Sequence, residues 1–334
     1  MKSAGLAALV VVAGCNAIDR TEPAHGEVTS LIVVAADTLW ASVGDGITSA
    51  LEARIFTVRN EKAFDVTHVS PQSEDWLELR QFRRVVVIGA SGDGWMVPVL
   101  GDSGLSALPA VVERRDVWAR GQTVTALVVP PEGSAAAVAA SVASLAERLD
   151  SRFREWVRSR MFLSGRNTEL RDSLASMAGF SLLLPNLYRP DVDGNLYVFR
   201  SSNDVGGRLA RVIAVTWRGG LESLTPDAAL AWRDSVAQRV FAATPGQGID
   251  RTQVHDRPLT DAAEGSFEVQ GIWESRDRTL PAAGPFVDRI VLCPDQDRTY
   301  FLEAWLFAPG RQKYEYMIQF ETLLNAFECG GAAR

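Results

Sequence analysis

Runs of apolar residues alternate with stretches of helical periodicity over the first half of the chain. Four runs are rich in β-branched residues and are short enough to be buried strands. The stretches between them repeat their apolar residues at helical spacing, and the last one is long, with a single apolar face. Strands that alternate with helices predict an α/β layer. The predicted strands are residues 31–35, 64–69, 85–88 and 123–129, and the predicted helices are residues 37–51, 71–82 and 133–157.

The second half has a different order of elements. A helix is followed by three strands, a second helix by three more strands, and a third helix closes the pattern. This order predicts an α+β sandwich, in which helices pack on one mainly antiparallel sheet. The predicted strands are residues 180–185, 196–200, 209–217, 267–274, 286–293 and 299–307, and the predicted helices are residues 170–178, 226–241 and 311–327.

The length of 334 residues suits two compact domains better than one small core. We therefore predict an α/β domain over residues 28–165 and an antiparallel α+β sandwich over residues 166–329. Each is expected to be a β-sheet with helices packed on it. Residues 1–14 are predicted to be a lipoprotein signal peptide, and residues 15–27, which include Pro23 and Gly26, a polar tether.

The N-terminal segment carries an export pattern. Lys2 supplies a positive start, an apolar run follows, and the segment ends in Val12-Ala13-Gly14-Cys15. This ending resembles the lipobox of bacterial lipoproteins, in which small residues precede a cysteine that is acylated and becomes the new N-terminus. The resemblance implies that Cys15 carries diacylglycerol and a further acyl chain, such as palmitate. The alternative is a plain secretory signal that is cut nearby, for example after Ala17.

Residue 16 and the overall charge bear on the location. Asn16 stands where an acidic residue often retains lipoproteins in the inner membrane, so we expect a cell-envelope protein in the outer membrane, facing the periplasm. The formal net charge of −7 is unsuited to binding nucleic acid. It also argues against electrostatic attachment to anionic lipid, which leaves the acyl chains of Cys15 as the predicted membrane link.

The three cysteines are Cys15, Cys293 and Cys329. If Cys15 is acylated, an even pair remains, as suits an oxidising compartment. Cys293 ends a predicted strand before a turn, and the strand and helix that follow it run away from the turn and back. Ten strand residues cover about 33 Å, and nineteen helical residues about 28 Å, so the helix should end near Cys293. We predict a Cys293–Cys329 disulfide.

Motifs that would indicate catalysis, a metal or a cofactor are incomplete, and no cofactor is predicted. The three histidines, His25, His68 and His255, lack the spacing of metal ligands. Residues 89–93 approach a nucleophile elbow, but Asp93 stands where glycine is needed, so a loop after a buried strand is the better interpretation. Residues 44–46 lack the third glycine of a dinucleotide motif, and residues 191–195 predict a hairpin turn rather than a calcium loop.

Two further groups of residues allow a binding interpretation beside a structural one. Three tryptophans in or beside strands could line a ligand cleft, although aromatic residues in strands more often belong to the core. Five arginines on the long helix could face an acidic partner, but the interleaved acidic residues favour a solvated face with ion pairs. The tryptophans are Trp118, Trp273 and Trp305, and the arginines are Arg148, Arg152, Arg154, Arg158 and Arg160.

Several short segments together resemble the uncharacterised bacterial lipoprotein family known as domain of unknown function 4837. They include Arg115-Asp116-Val117-Trp118-Ala119, Trp232-Arg233-Asp234-Ser235-Val236, Gly271-Ile272-Trp273 and Ala304-Trp305-Leu306-Phe307-Ala308-Pro309, and such segments occur over nearly all of the predicted mature chain. The resemblance implies a periplasm-facing lipoprotein with no assigned activity and no known catalytic residues. The C-terminal domain also weakly resembles the α/β sandwich of PsbP and Mog1.

These observations favour a non-catalytic binding or envelope-assembly module. Its expected partners are the membrane, reached through the lipid on Cys15, and an envelope protein or ligand of unknown identity. The alternative is a periplasmic hydrolase whose active site is dispersed along the chain. A cleft that holds an acid, a base and a nucleophile would favour the hydrolase.

Overall fold

A computed structural model of the protein describes residues 22–201, 209–222, 224–240, 254–259, 262–274 and 282–330. The chain forms two compact units. The N-terminal unit comprises Met1–Thr48 and Asp65–Val142, and the C-terminal unit comprises Ser49–Phe64 and Ala143–Arg334. The predicted two-domain α+β class is confirmed, while the predicted boundary between residues 165 and 166 stays a prediction. Cys15 and the predicted signal peptide lie outside the described residues.

The elements of the N-terminal half and of the C-terminal half follow in chain order. The first are β1 (Ser30–Val34), α1 (Asp37–Leu51), β2 (Arg54–Phe56), β3 (Asn60–Lys62), β4 (Asp65–Val69), α2 (Trp76–Leu79), β5 (Arg84–Gly89), α3 (Val97–Leu100), β6 (Ala110–Arg115), β7 (Thr123–Val128) and α4 (Ser134–Met161). The second are α5 (Thr168–Met177), β8 (Phe180–Leu182), β9 (Tyr188–Asp193), β10 (Leu196–Ser201), β11 (Ala210–Gly219), α6 (Pro226–Val240), β12 (Val254–Pro258), β13 (Phe267–Glu274), β14 (Ala283–Cys293), β15 (Arg298–Phe307), α7 (Tyr314–Asn325) and β16 (Phe327–Cys329).

The N-terminal unit is built on a five-stranded sheet in the order β4-β1-β5-β7-β6. The first four strands are parallel, and β6 pairs antiparallel with β7. The central strands β1 and β5 are buried on both faces, which explains their unbroken apolar sequences. The predicted alternation of strands and helices is therefore found here.

The helix predicted over residues 71–82 is much shorter in the structure, so its predicted bounds are wrong. Only α2 is helical in this stretch. Before it, the Ser70 and Ser73 hydroxyl oxygens accept hydrogen bonds from the backbone N–H groups of Gln72 and Asp75, at 3.5 and 3.2 Å. Such local side-chain bonds offer the backbone an alternative to the helical pattern, and they keep this stretch in turns.

The C-terminal unit is built on a seven-stranded sheet in the order β12-β13-β14-β15-β11-β10-β9, in which all neighbours are antiparallel. One face packs on α6 through a core that includes Trp232, Phe286 and Trp305. The other face packs on α5 and α7 through a core that includes Leu174, Leu302 and Phe320. The predicted antiparallel sandwich is confirmed.

Six strands were not predicted from the sequence: β2, β3, β6, β9, β12 and β16. Of these, β9 shows the reason most clearly, because after the buried Tyr188 its residues are all exposed and include Pro190. A strand at the edge of a sheet tolerates proline and needs no apolar alternation, so it leaves little trace in the sequence. The short hairpin of β2 and β3 was missed for the same reason.

Candidate ligand-binding cavity

A buried ion pair on β13 and β14 is the centre of the candidate site. Glu268 and Arg289 stand opposite each other on these neighbouring strands, and both are about nineteen-twentieths buried. Nε and Nη2 of Arg289 each lie 2.8 Å from Oε2 of Glu268, and Gln270 Nε2 donates to Oε1 of the same carboxylate at 3.0 Å. Burial is tolerated because the charges are paired and hydrogen-bonded.

The same guanidinium fixes the end of α7. Arg289 Nη1 donates to Oδ1 of Asn325, the last residue of that helix, at 2.7 Å. The acceptor is the side-chain amide oxygen of Asn325, so the bond joins the C-terminal end of the helix directly to β14. This bond therefore holds the end of α7 against the sheet.

A cavity of about 760 Å³ opens beside this ion pair, within the size range of small-molecule sites. Polar and apolar groups contribute about equally to its wall, which carries three carboxylates, a guanidinium and an amide. The lining residues are Leu259, Ala262, Ala263, Glu268, Arg289, Val291, Leu292, Pro294, Glu321, Leu324, Asn325, Phe327, Glu328 and Cys329. Most belong to β13, β14, α7 and β16.

The predicted disulfide joins Cys293 to Cys329, with the two Cα atoms 5.7 Å apart. Cys293 is buried at the end of β14, and Cys329 is exposed on β16. The bond therefore links the strand that carries Arg289 to the strand that forms one wall of the cavity. Pairing of β16 with β8 supports that wall from its other side.

A second polar cluster supports Glu321, the carboxylate at the cavity wall. Arg154 Nη1 donates to Glu321 Oε2 at 2.5 Å, while Arg154 Nε donates to Asp150 Oδ2 at 2.8 Å. The Tyr314 hydroxyl donates to the other oxygen of Asp150. Burial and this hydrogen bond raise the pKa of Tyr314, so its hydroxyl stays a donor at neutral pH.

The opposite face of the sheet holds a different buried charge cluster. Arg233 on α6 is fully buried, and its Nη2 donates to Glu303 Oε1 at 2.7 Å. Its Nε lies 3.5 Å from Asp288 Oδ2, and its guanidinium lies 3.7 Å from the centre of the Phe286 ring. Asp288 and Glu303 stand opposite each other on β14 and β15. Burial raises the pKa of both carboxyls, and the Arg233 charge opposes that shift.

Of the two interpretations of the tryptophans, a ligand cleft or the core, the structure supports the core. Trp273 and Trp305 are buried and stack with ring centres 4.5 Å apart, while Trp273 Nε1 donates to the Leu306 carbonyl at 3.0 Å. In the N-terminal unit, Trp118 packs edge-on against Trp76 at 5.1 Å. None of the three lines the cavity.

The motifs set aside as structural are found in the expected places. Asp93 Oδ2 accepts a hydrogen bond from the Ala90 N–H at 2.8 Å, within the loop after β5. Gly194, with φ of +61°, lies in the turn between β9 and β10. His68 stacks on Trp40 at 4.2 Å, and its Nε2 lies 3.1 Å from the Ala35 carbonyl oxygen. The side chain of His255 lies outside the described residues.

The arginines of α4 show the ion pairs that the charge pattern favoured. Arg152 pairs with Glu155 at 2.8 Å, and Arg154 pairs with Asp150 and Glu321. Arg160 lies 5.0 Å from the ring centre of Trp156. Among the described residues, no group of three or more His, Cys, Asp or Glu could hold a metal ion, and no helix is long and apolar enough to span a membrane.

The residues that build the cavity were not singled out from the sequence, although a signal was present. Asp288 and Arg289 are adjacent charged residues inside an otherwise apolar strand. Because neighbouring residues of a strand face opposite sides of the sheet, two adjacent charges predict a buried polar contact on each face. Asp288 meets Arg233 on one face, and Arg289 meets Glu268 on the other.

Fold and cavity together define a two-domain α+β protein whose C-terminal antiparallel sandwich carries a small-molecule-sized cavity. Residues 167–326 match a family described as Domain of unknown function (DUF4837), and residues 24–161 match another, described as Domain of unknown function (DUF8532). The predicted resemblance to the first family is thus confirmed over the C-terminal half, while the N-terminal half matches the second. No curated protein matches the chain.

Two solved structures show a weak likeness, as the sequence predicted. Cyanobacterial PsbP (CyanoP) from Synechocystis sp. PCC 6803 is 14% identical and has a TM-score of 0.32, over 45% of this chain and 86% of that one. The Ran-binding protein Mog1p of Saccharomyces cerevisiae is 10% identical and has a TM-score of 0.32, over 46% of this chain and 91% of that one. Likeness at this level carries no argument about function.

Proposed function

We propose that this protein is a lipid-anchored lipoprotein of the bacterial cell envelope, whose C-terminal unit binds a small ligand without converting it. The anchor is supported by the Val12-Ala13-Gly14-Cys15 sequence and by an apolar run before it that suits an export signal. Acyl chains on Cys15 would hold the protein at the membrane, facing the periplasm. The absence of an acidic residue at Asn16 supports the outer membrane.

The observation that carries the binding role is the cavity beside Arg289. Its wall combines apolar side chains with charged and amide groups, so it offers a small ligand both contact area and partners that fix its orientation. Two of its carboxylates, Glu268 and Glu321, are held by the arginines Arg289 and Arg154. These ion pairs hold the two carboxylates in fixed positions, which suits the recognition of a ligand.

The binding role is tested with the fluorescent probe 1-anilinonaphthalene-8-sulfonate, which reports accessible apolar sites. Ala263 lines the cavity, so Ala263→Trp should fill part of it and weaken dye binding at least about tenfold, the loss expected when an apolar contact of this size is blocked. Ala139→Trp, at an exposed position of α4, is the matched control and should leave the affinity unchanged. Equal affinity of the two variants would remove the cavity as the binding site.

A further inference from the structure

Arg289, at the wall of the cavity, has hydrogen-bond donors to spare. A guanidinium carries five N–H groups. Nε and Nη2 of Arg289 lie 2.8 Å from Glu268 Oε2, and its Nη1 donates to Asn325 Oδ1 at 2.7 Å. At least one N–H on Nη1 and one on Nη2 therefore have no partner in the described part of the chain, although the side chain is only 6% exposed. Donors buried this deeply normally have a partner, so they indicate a ligand group that accepts hydrogen bonds.

Asn325 adds two donors beside that guanidinium. Because a guanidinium can only donate, the oxygen of the Asn325 amide must face Arg289, and this bond fixes the orientation of the amide. The Nδ2 group of Asn325 donates to none of the described residues, and the residue lines the cavity. The donors of Arg289 and Asn325 therefore lie side by side at the same wall.

Glu321 presents a negative charge one helical turn before these donors. It precedes Asn325 by four residues on α7, and such positions lie on one face of a helix with their Cβ atoms about 6 Å apart. Glu321 Oε2 accepts from Arg154, whereas Oε1 accepts from none of the described residues. The cavity wall thus carries a free anionic acceptor close to a group of free donors.

The spacing of these groups fits an α-amino acid. The ammonium nitrogen and the carboxylate carbon of such a molecule lie about 2.5 Å apart, because both are bonded to one carbon atom. With a hydrogen bond of about 2.9 Å at each end, the molecule can bridge protein groups as much as about 8 Å apart. Groups on one face of α7 and one turn apart lie within this reach.

The other residues of the cavity wall bear on the charge and the side chain of the ligand. Glu268 is paired with Arg289, and Glu328 Oε2 accepts from the Ser181 hydroxyl at 3.1 Å. Because the charged side chains of the wall are of both signs, a ligand that carries one charge of each sign suits it better than a ligand with a single charge. Apolar side chains cover much of the rest, among them Leu259, Val291, Leu292, Leu324 and Phe327.

We propose that the cavity binds an α-amino acid with an apolar side chain, a proposal that rests on the ligand-binding role of the C-terminal unit. Arg289 and Asn325 donate to the carboxylate of the ligand, and Glu321 accepts from its ammonium group. The apolar part of the wall covers the side chain.

Calorimetric titration of the purified protein with L-leucine, L-phenylalanine and L-tryptophan tests the proposal. At least one of the three should bind, and its N-acetyl derivative, which lacks the ammonium group, should bind at least about tenfold more weakly. The amide derivative, which lacks the carboxylate, should be weakened by a similar factor. Both losses are expected because each derivative leaves a charged group of the site without its partner.

Asn325→Asp separates the recognition of the carboxylate from the packing of α7. The variant keeps an oxygen that accepts from Arg289 but loses the amide donors. The preference for the free acid over its amide derivative should therefore fall at least about tenfold, since two carboxylates repel each other. Gln238→Glu makes the matched change of an amide to a carboxylate at an exposed position of α6, and it should leave the preference unchanged.

Glu321→Gln tests the recognition of the ammonium group. The new amide oxygen can still accept from Arg154, so the contact with α4 is kept. The variant should bind the free amino acid no more tightly than the N-acetyl derivative. Glu169→Gln, at an exposed position of α5, is the matched control and should behave as the parent protein.

Two results would overturn this ligand class. One is equal affinity of the parent protein for the free amino acids and their derivatives, and the other is binding of none of the three. If 1-anilinonaphthalene-8-sulfonate still binds in the cavity and is weakened by Ala263→Trp, the binding role of the cavity stands and only the ligand class fails.

Discussion

Arg233, Asp288 and Glu303 place one positive and two negative groups in the core of the C-terminal unit. All three are at least 97% buried. Such a cluster is costly to disrupt, because removal of one partner leaves charge that neither water nor an opposite charge compensates. Replacing it by apolar residues of similar volume can be nearly neutral, so the arrangement matters more than the presence of charge.

Arg233→Met should therefore lower the free energy of unfolding by about 3–5 kcal/mol at neutral pH. Burial raises the pKa of Asp288 and Glu303, so these carboxyls favour the folded state when protonated and disfavour it as pH rises through their folded pKa values. Without Arg233 the cost of ionising these buried carboxyls grows, so the loss of unfolding free energy should be larger at about pH 8 than at about pH 5. Urea unfolding across this range measures it.

Arg218→Met is the control for this change. Arg218 is half exposed and lies 3.7 Å from Glu222, so its loss should cost about 0–1 kcal/mol, with little dependence on pH. If the loss of unfolding free energy in Arg233→Met stayed constant from acid to alkaline pH, the claim that Arg233 compensates the buried Asp288 and Glu303 would be contradicted.

Gly284 on β14 is a glycine because of close packing. A Cβ atom there would lie 1.8 Å from the Leu306 carbonyl oxygen and 2.5 Å from Trp273 Nε1. Since the first contact is with backbone, Gly284→Ala should lower the free energy of unfolding by about 2–4 kcal/mol. Gly46→Ala in α1, where nothing lies within 4 Å, should instead stabilise the protein by about 0.5–1 kcal/mol. Thermal unfolding that ranked the two variants equally would contradict the packing.

At the scale of elements, the sequence predicted those whose apolar pattern matches their burial. The strands near residues 85–88, 267–274 and 299–307 were found because continuous or alternating apolar residues are needed where a strand is covered. The edge strand β9 was missed because its residues are exposed and show no apolar pattern. The helix α2 was predicted too long because local side-chain hydrogen bonds hold the residues before it in turns. The cavity could not be predicted, since it depends on how β13, β14, α7 and β16 meet.

The disulfide was predicted because strand and helix lengths alone bring its ends together. It closes a loop with a sequence separation of 36. The Cys293→Ala/Cys329→Ala variant should lose about 3–4 kcal/mol of unfolding free energy, from the loop entropy regained by the unfolded chain. Reduced parent protein should show the same loss in urea. Equal stability of the parent with and without reductant would contradict a stabilising bond.

At the scale of the whole molecule, the account joins a membrane anchor to a ligand cavity in the C-terminal unit. The anchor fixes where the cavity acts. The sequence supports it through the residues before Cys15, through the polar tether and through a cysteine count that becomes even once Cys15 is set aside.

Mass spectrometry of the N-terminus of the protein isolated from membranes tests this claim most directly. Trypsin should release a peptide of residues 15–20, ending at Arg20, whose mass exceeds that of the bare peptide by a diacylglyceryl group and an amide-linked acyl chain. The Cys15→Ser variant should not give that peptide, and it should no longer be retained at the membrane. An unmodified N-terminus at or beyond Asn16, in protein that is still retained at the membrane, would contradict the account.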